Sequence, residues 1–130
     1  MATFKKFEEI EAWQKARKLT KRIYACSGSG IFAKDFGLRD QIRRASVSIM
    51  SNIAEGHDRG GTGEFIQFLS MAKGSAAEVR CQLHVAFDQA YVSADVLTEL
   101  SEMAEEIASM IGGLIKYLRQ SGIKGDKYKR

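Results

Sequence analysis

Polar side chains repeated at helical spacing are where a helical protein can build a reactive or binding site, and residues 41–56, QIRRASVSIMSNIAEG, hold the densest set. Gln41, Arg44, Ser48, Asn52 and Glu55 recur at steps of three and four, which a helix places along one side. Such a line either forms a site or pairs with a neighbouring helix, because buried polar groups need partners. If Glu55 and Glu64 face each other across the short loop between them, antiparallel geometry sets Arg44 near Ser75, Gln41 near Glu78 and Asn52 near Gln67. That geometry predicts an ion pair from Arg44 or Arg43 to Glu78. Gln41, Ser48, Asn52 and Ser75 complete a hydrogen-bonded seam that specifies register and does no chemistry.

Other chemistries find less support. A carboxylate-bridged di-metal site needs Glu-x-x-His pairs aimed inward from two helices. The two histidines, His57 and His84, follow Ala54 and Cys81 at that spacing, so no metal and no cofactor is expected. The glycine-rich segment 56–63 with Arg59 could offer backbone N–H groups to an anion, but it lacks the Gly-Lys-Ser/Thr ending of a phosphate loop. No Ser or Cys stands beside a histidine, and no nucleophile-elbow pattern occurs, which argues against an enzyme. Cys26 and Cys81 fall inside helical patterns and read as small buried apolar residues in a reducing compartment.

Charge is more informative in its distribution than in its net value of +4. Residues 5–22 hold seven cations against three carboxylates, and residues 116–130 hold six against one, so the middle is net acidic, with Asp95, Glu99, Glu102, Glu105 and Glu106 close together. Basic ends suit an anionic partner such as RNA or a ribonucleoprotein. Lys15, Lys18, Lys21 and Arg22, with Arg59 of the loop, are the residues that would hold nucleic acid. With no aromatic residue interleaved among them as a stacking platform, binding is expected to be strongly salt-dependent and weakly sequence-specific. The alternative is a protein–protein scaffold in which the basic first helix meets the acidic fourth helix of a neighbouring copy, without nucleic acid.

The elements that must position these residues are four helices. Proline is absent, 45% of residues are apolar, 28% are charged, and no apolar run approaches the ~18 residues that cross a bilayer, which suits a cytoplasmic protein with no membrane contact. The first helix uses Phe7, Ile10, Trp13, Ala16, Leu19, Ile23 and Cys26 as its apolar stripe and breaks at Ser27–Gly30. The second starts near Asp35 or Phe36, buries Leu38, Ile42, Ala45, Ile49 and Ile53, and ends at Gly56. The third is capped by Thr62 and runs through Phe65, Phe68, Leu69, Ala72, Ala76, Val79, Leu83, Ala86 and Ala90. The fourth is capped by Ser93 and is apolar beyond a single stripe, with Ala108, Met110 and Tyr117 off the main line, which implies a contact between copies. Each helix is expected to run about 20–28 residues, roughly 30–40 Å. Short loops then dictate an all-α, antiparallel up-and-down four-helix bundle over residues 1–120, followed by a flexible basic tail over 121–130.

Residues 41–56, preceded by Phe36-Gly37-Leu38 and followed by Arg59, Glu64-Phe65, Phe68-Leu69, Ala72, Gly74-Ser75 and Glu78, resemble the four-helix bundle proteins encoded in intervening sequences of 23S ribosomal RNA genes, also called S23 ribosomal proteins. Phe7, Ile10, Trp13-Gln14, Ala16, Leu19, Ile23-Tyr24 and the later Ala90-Tyr91-Val92 fit the same pattern, over about residues 4–118. A departure is Ala33 after Phe32, where the family often has proline. The resemblance implies a cytosolic bundle that assembles as a homopentamer without known catalysis. It also implies a relation to the accessory variability protein of diversity-generating retroelements, a basic pentamer that engages a reverse transcriptase and nucleic acid.

Overall fold

The computed structural model describes residues 4–129, and the side chains of residues 4–121. Four α-helices follow one another: α1 Glu11–Ser27, α2 Phe36–Asp58, α3 Thr62–Asp88 and α4 Ala94–Lys129. Short 3₁₀ turns at Phe7–Glu9 and Phe32–Lys34 precede α1 and α2. Each helix packs on the next, and α1 closes against α4, so the chain forms the expected antiparallel up-and-down bundle. Among the described residues, no helix is long and apolar enough to cross a membrane.

The apolar stripes explain the core. Ile42, Ala45, Ile49 and Ile53 of α2 face Leu69, Ala72, Ala76, Val79 and Leu83 of α3, and Leu100, Ala104, Ile107 and Ile111 of α4 complete the interior. All lie within one continuous buried cluster. Helix lengths depart from expectation: α1 has 17 residues and α4 has 36, roughly 26 and 54 Å at 1.5 Å per residue. Helix α1 is short because Ile10 is extended (φ −75°, ψ 122°), which separates the Phe7–Glu9 turn from the helix proper. Helix α4 continues into the segment read as a flexible tail, whose side chains beyond residue 121 lie outside the described set.

The ends of the helices were partly legible. Asp35 caps α2 by accepting from Leu38 N at 3.1 Å, and Ser93 caps α4 by accepting from Val96 N at 3.1 Å. Gly61, not Thr62, is the N-cap residue of α3, and Thr62 is the first helical residue. Gly56 does not end α2, which continues to Asp58; it lies buried where α2 meets Phe65 and Phe68 of α3.

Ala90 ends α3 in the left-handed region, at φ 62°. Its N–H donates to Phe87 O at 2.9 Å and that of Tyr91 donates to Ala86 O at 2.8 Å, the paired bonds of a Schellman cap. Alanine in that conformation costs about 1–2 kcal/mol, against an unfolded-chain entropy penalty for glycine of about 0.4–1 kcal/mol. Ala90→Gly is therefore expected to stabilise the protein by about 0.5–1 kcal/mol, raising the thermal midpoint roughly 2–5 °C. A lower midpoint in a thermal melt would contradict the strain argument.

The surplus apolar surface is not where it was expected. Ala108, Met110 and Tyr117 of α4 are half-buried against the core. Among the described residues, the large apolar side chains left exposed include Val47 on α2 and Met71 and Val85 on α3, and none belongs to α4. The cysteines divide as well: Cys81 is exposed, whereas Cys26 is half-buried, with burial pushing its thiol pKa up.

Candidate functional site

The basic face of α1 is sorted by its neighbour. Lys15 Nζ lies 3.0 Å from Glu106 Oε2, and Arg22 pairs with Glu99, both carboxylates belonging to α4 of the same chain. The hydrogen bond to Glu99 raises the Arg22 pKa. Two of the four cations placed on α1 are thus turned towards the bundle. Glu99 and Glu106, two of the five acidic residues grouped on α4, meet α1 within the protomer. These pairs are largely exposed, so they orient side chains more than they stabilise the fold. Lys18 and Lys21 stay exposed, and among the described residues neither forms an ion pair.

Trp13 belongs with those two lysines. The fully buried line of α1 runs through Ala12, Ala16, Leu19, Ile23 and Ser27, and Trp13 packs against the core at the edge of that line. The indole is half-buried, packs edge-on against Phe7 with ring centroids 5.2 Å apart, and lies under Arg17, whose guanidinium carbon is 5.8 Å from the ring centroid. Gln14 Nε2 donates to Glu8 O at 2.8 Å, tying the preceding turn to the helix. Glu8, Trp13, Gln14, Arg17, Lys18 and Lys21 line one open groove. This overturns the expectation that no aromatic residue lies among the charges. The missed signal is the four-residue step Trp13–Arg17–Lys21, which marks a second face of α1 next to the apolar one.

The polar line of α2 is arranged differently from the sequence expectation. Ser48, not Arg44, faces Ser75, with the two hydroxyls 2.9 Å apart, and Asn52 Nδ2 donates to Ser48 O at 2.9 Å and to Ser48 Oγ at 3.0 Å. The register of α2 on α3 is displaced by about one turn from that expectation, since Ser48 and not Arg44 stands opposite Ser75. Gln41, Arg44 and Glu78 do line one groove with Gln82, but among the described residues neither Arg44 nor Arg43 forms an ion pair with Glu78. Arg43 turns the other way. Its Nε donates to Ser27 Oγ at 2.8 Å and its Nη2 to Tyr24 O at 3.3 Å, with its guanidinium carbon 4.4 Å from the Tyr24 ring centroid. A cation at the C-terminal end of α1 complements unpaired carbonyls there.

Arg59 is similarly occupied. Its Nη2 donates to Glu55 Oε2 at 2.8 Å, its Nη1 lies 3.7 Å from Glu64 Oε2, and its guanidinium carbon stands 5.1 Å from the Phe68 ring centroid. The bond to Glu55 raises its pKa. The loop cation is thus neutralised by its own helix ends. His57 Nε2 lies 2.7 Å from Phe4 O, pinning the segment before α1 to the end of α2, and His84 is exposed. Among the described residues, no cluster of three or more His, Cys, Asp or Glu could hold a metal ion.

Comparison with known proteins agrees with this architecture. Residues 8–113 match the family described as 23S rRNA-intervening sequence protein. A solved structure from Bacteroides thetaiotaomicron, described as a protein with unknown function from the S23 ribosomal protein family, is 24% identical. It superposes with a TM-score of 0.74 over 81% of this chain and 95% of that one, which speaks for the fold alone. No curated protein matches.

Proposed function

Since the chain belongs to the 23S rRNA-intervening sequence protein family, we propose that it is a non-enzymatic, cytoplasmic binding module that acts on RNA, free or within a ribonucleoprotein, and works in several copies, five being the expected number. The observation that supports this reading is the division of charge on α1. Lys15 and Arg22 are neutralised by α4, while Arg17, Lys18 and Lys21, which form no ion pair among the described residues, share a groove that Glu8 also lines. Uncompensated cations at helical spacing follow a phosphate backbone, and repeating them around an assembly multiplies weak contacts by avidity. The exposed Val47, Met71 and Val85 are apolar surface that contact between copies would cover.

The test is RNA affinity at rising salt, read by anisotropy of a labelled single strand. Affinity should fall with salt, and Lys18→Ala/Lys21→Ala should flatten the log–log slope by about one unit per lysine. Affinity indifferent to both salt and these lysines would overturn the reading. Sedimentation of the same sample reports the number of copies, and a monomer would remove the assembly from the proposal.

A further inference from the structure

We infer that the groove beside Trp13 is a stacking platform for an unpaired base, so that the RNA taken at this site is single-stranded. This rests on the RNA-binding reading above and adds to it the form of the nucleic acid. Three features of the groove carry it. Trp13 is half-buried, so its ring is held in place while still lining an open surface. Phe7 packs edge-on against it, which limits the rotamer freedom that binding would otherwise have to freeze. Arg17 lies over the same ring, and Lys18 and Lys21 continue along the groove wall. An aromatic surface joined to a line of cations matches a single strand, whose phosphates follow the charges while a splayed base takes the place of the Arg17 guanidinium over the ring. A duplex keeps its bases stacked inside and offers the indole nothing. Gln14 Nε2 is engaged by Glu8 O, so the base is held mainly by stacking on Trp13, which tolerates any base. Glu8, from the turn before α1, also lines the groove and repels phosphate, so the strand should run from Trp13 towards Lys21.

Trp13 is the single tryptophan of the chain, so its fluorescence reports this site alone. The full-length protein is titrated with a short oligouridylate and with an RNA duplex of equal length. The expected result is quenching of the emission and protection from acrylamide by the single strand, with little change on adding the duplex. Trp13→Ala should weaken single-strand binding by about 5- to 100-fold and leave duplex binding within about twofold, from the usual contribution of one stacked base. Trp13→Phe, which keeps an aromatic surface and Phe7 packing, should retain most of the affinity and covers the case in which the alanine variant does not fold. Salt-dependent binding that is lost in Lys18→Glu/Lys21→Glu, yet leaves the emission unchanged and treats both probes alike, would overturn the platform while leaving RNA binding intact. Failure of both probes to bind, or binding unaffected by the two glutamates, would overturn the underlying reading instead.

Discussion

Replacing Gly56 with alanine is expected to lower stability by about 1–3 kcal/mol, the usual cost of overpacking a tight contact. A Cβ at this position would stand 2.7 Å from Phe68 Cβ and 3.0 Å from Phe65 Cδ1. Phe68 Cβ is fixed to its backbone and cannot rotate away, so α2 and α3 would have to separate. Alanine otherwise favours a helix interior by about 1 kcal/mol over glycine, so the clash must exceed that gain to be seen. Gly74 and Gly113 supply the comparison, since a Cβ at either meets nothing within 4 Å. Their alanine variants should be as stable as the parent or slightly more so. Urea unfolding of the three variants decides it: Gly56→Ala matching Gly74→Ala would show that the close approach carries no weight.

The second large effect is expected at Asp35. One carboxylate oxygen caps α2 through Leu38 N, and the other accepts from Tyr91 Oη at 2.9 Å, joining the start of α2 to the α3–α4 connection. The Tyr91 ring in turn stacks on the buried Phe32, with centroids 5.2 Å apart. Asp35→Ala should cost about 0.5–2 kcal/mol for the cap alone, and it also removes the partner of the Tyr91 hydroxyl. Asp35→Asn keeps a capping oxygen and should lose much less. Tyr91→Phe isolates the second bond, and its effect should vanish when Asp35 is already alanine, the mark of a coupled pair in a double-mutant cycle. The bond to Asp35, and then burial, raise the Tyr91 pKa. A raised pKa means that the contribution is complete at neutral pH and is lost only as alkaline pH titrates the folded-state hydroxyl. Equal stability of Asp35→Ala and the parent would refute the joint.

Much of the molecule could be read from residue order. Four helices, an antiparallel bundle, most of the buried lines of α2 and α3, the start of α2 near Asp35 and the Ser93 cap all follow from spacing and from short-range hydrogen bonding. The polar seam was anticipated in kind but not in partners. Ser48, Asn52 and Ser75 do meet, whereas Arg43 leaves the seam for α1. Trp13 packs against the core, as its place on the apolar stripe predicts, but at the edge of the buried line, which leaves part of the indole in the groove with Arg17 and Lys21.

Periodicity is a property of one helix, and what the sequence alone determined is therefore each helix with its buried side. Relative height and rotation between helices arise from packing: from Gly56 against Phe68, and from loop lengths that a few residues at each end alter. Those quantities decided which cations α4 neutralises, where Arg59 is held, and that Trp13, Arg17, Lys18 and Lys21 share one groove. Local spacing names the faces of a bundle, and only the tertiary structure says which of them meet each other and which are left for a partner.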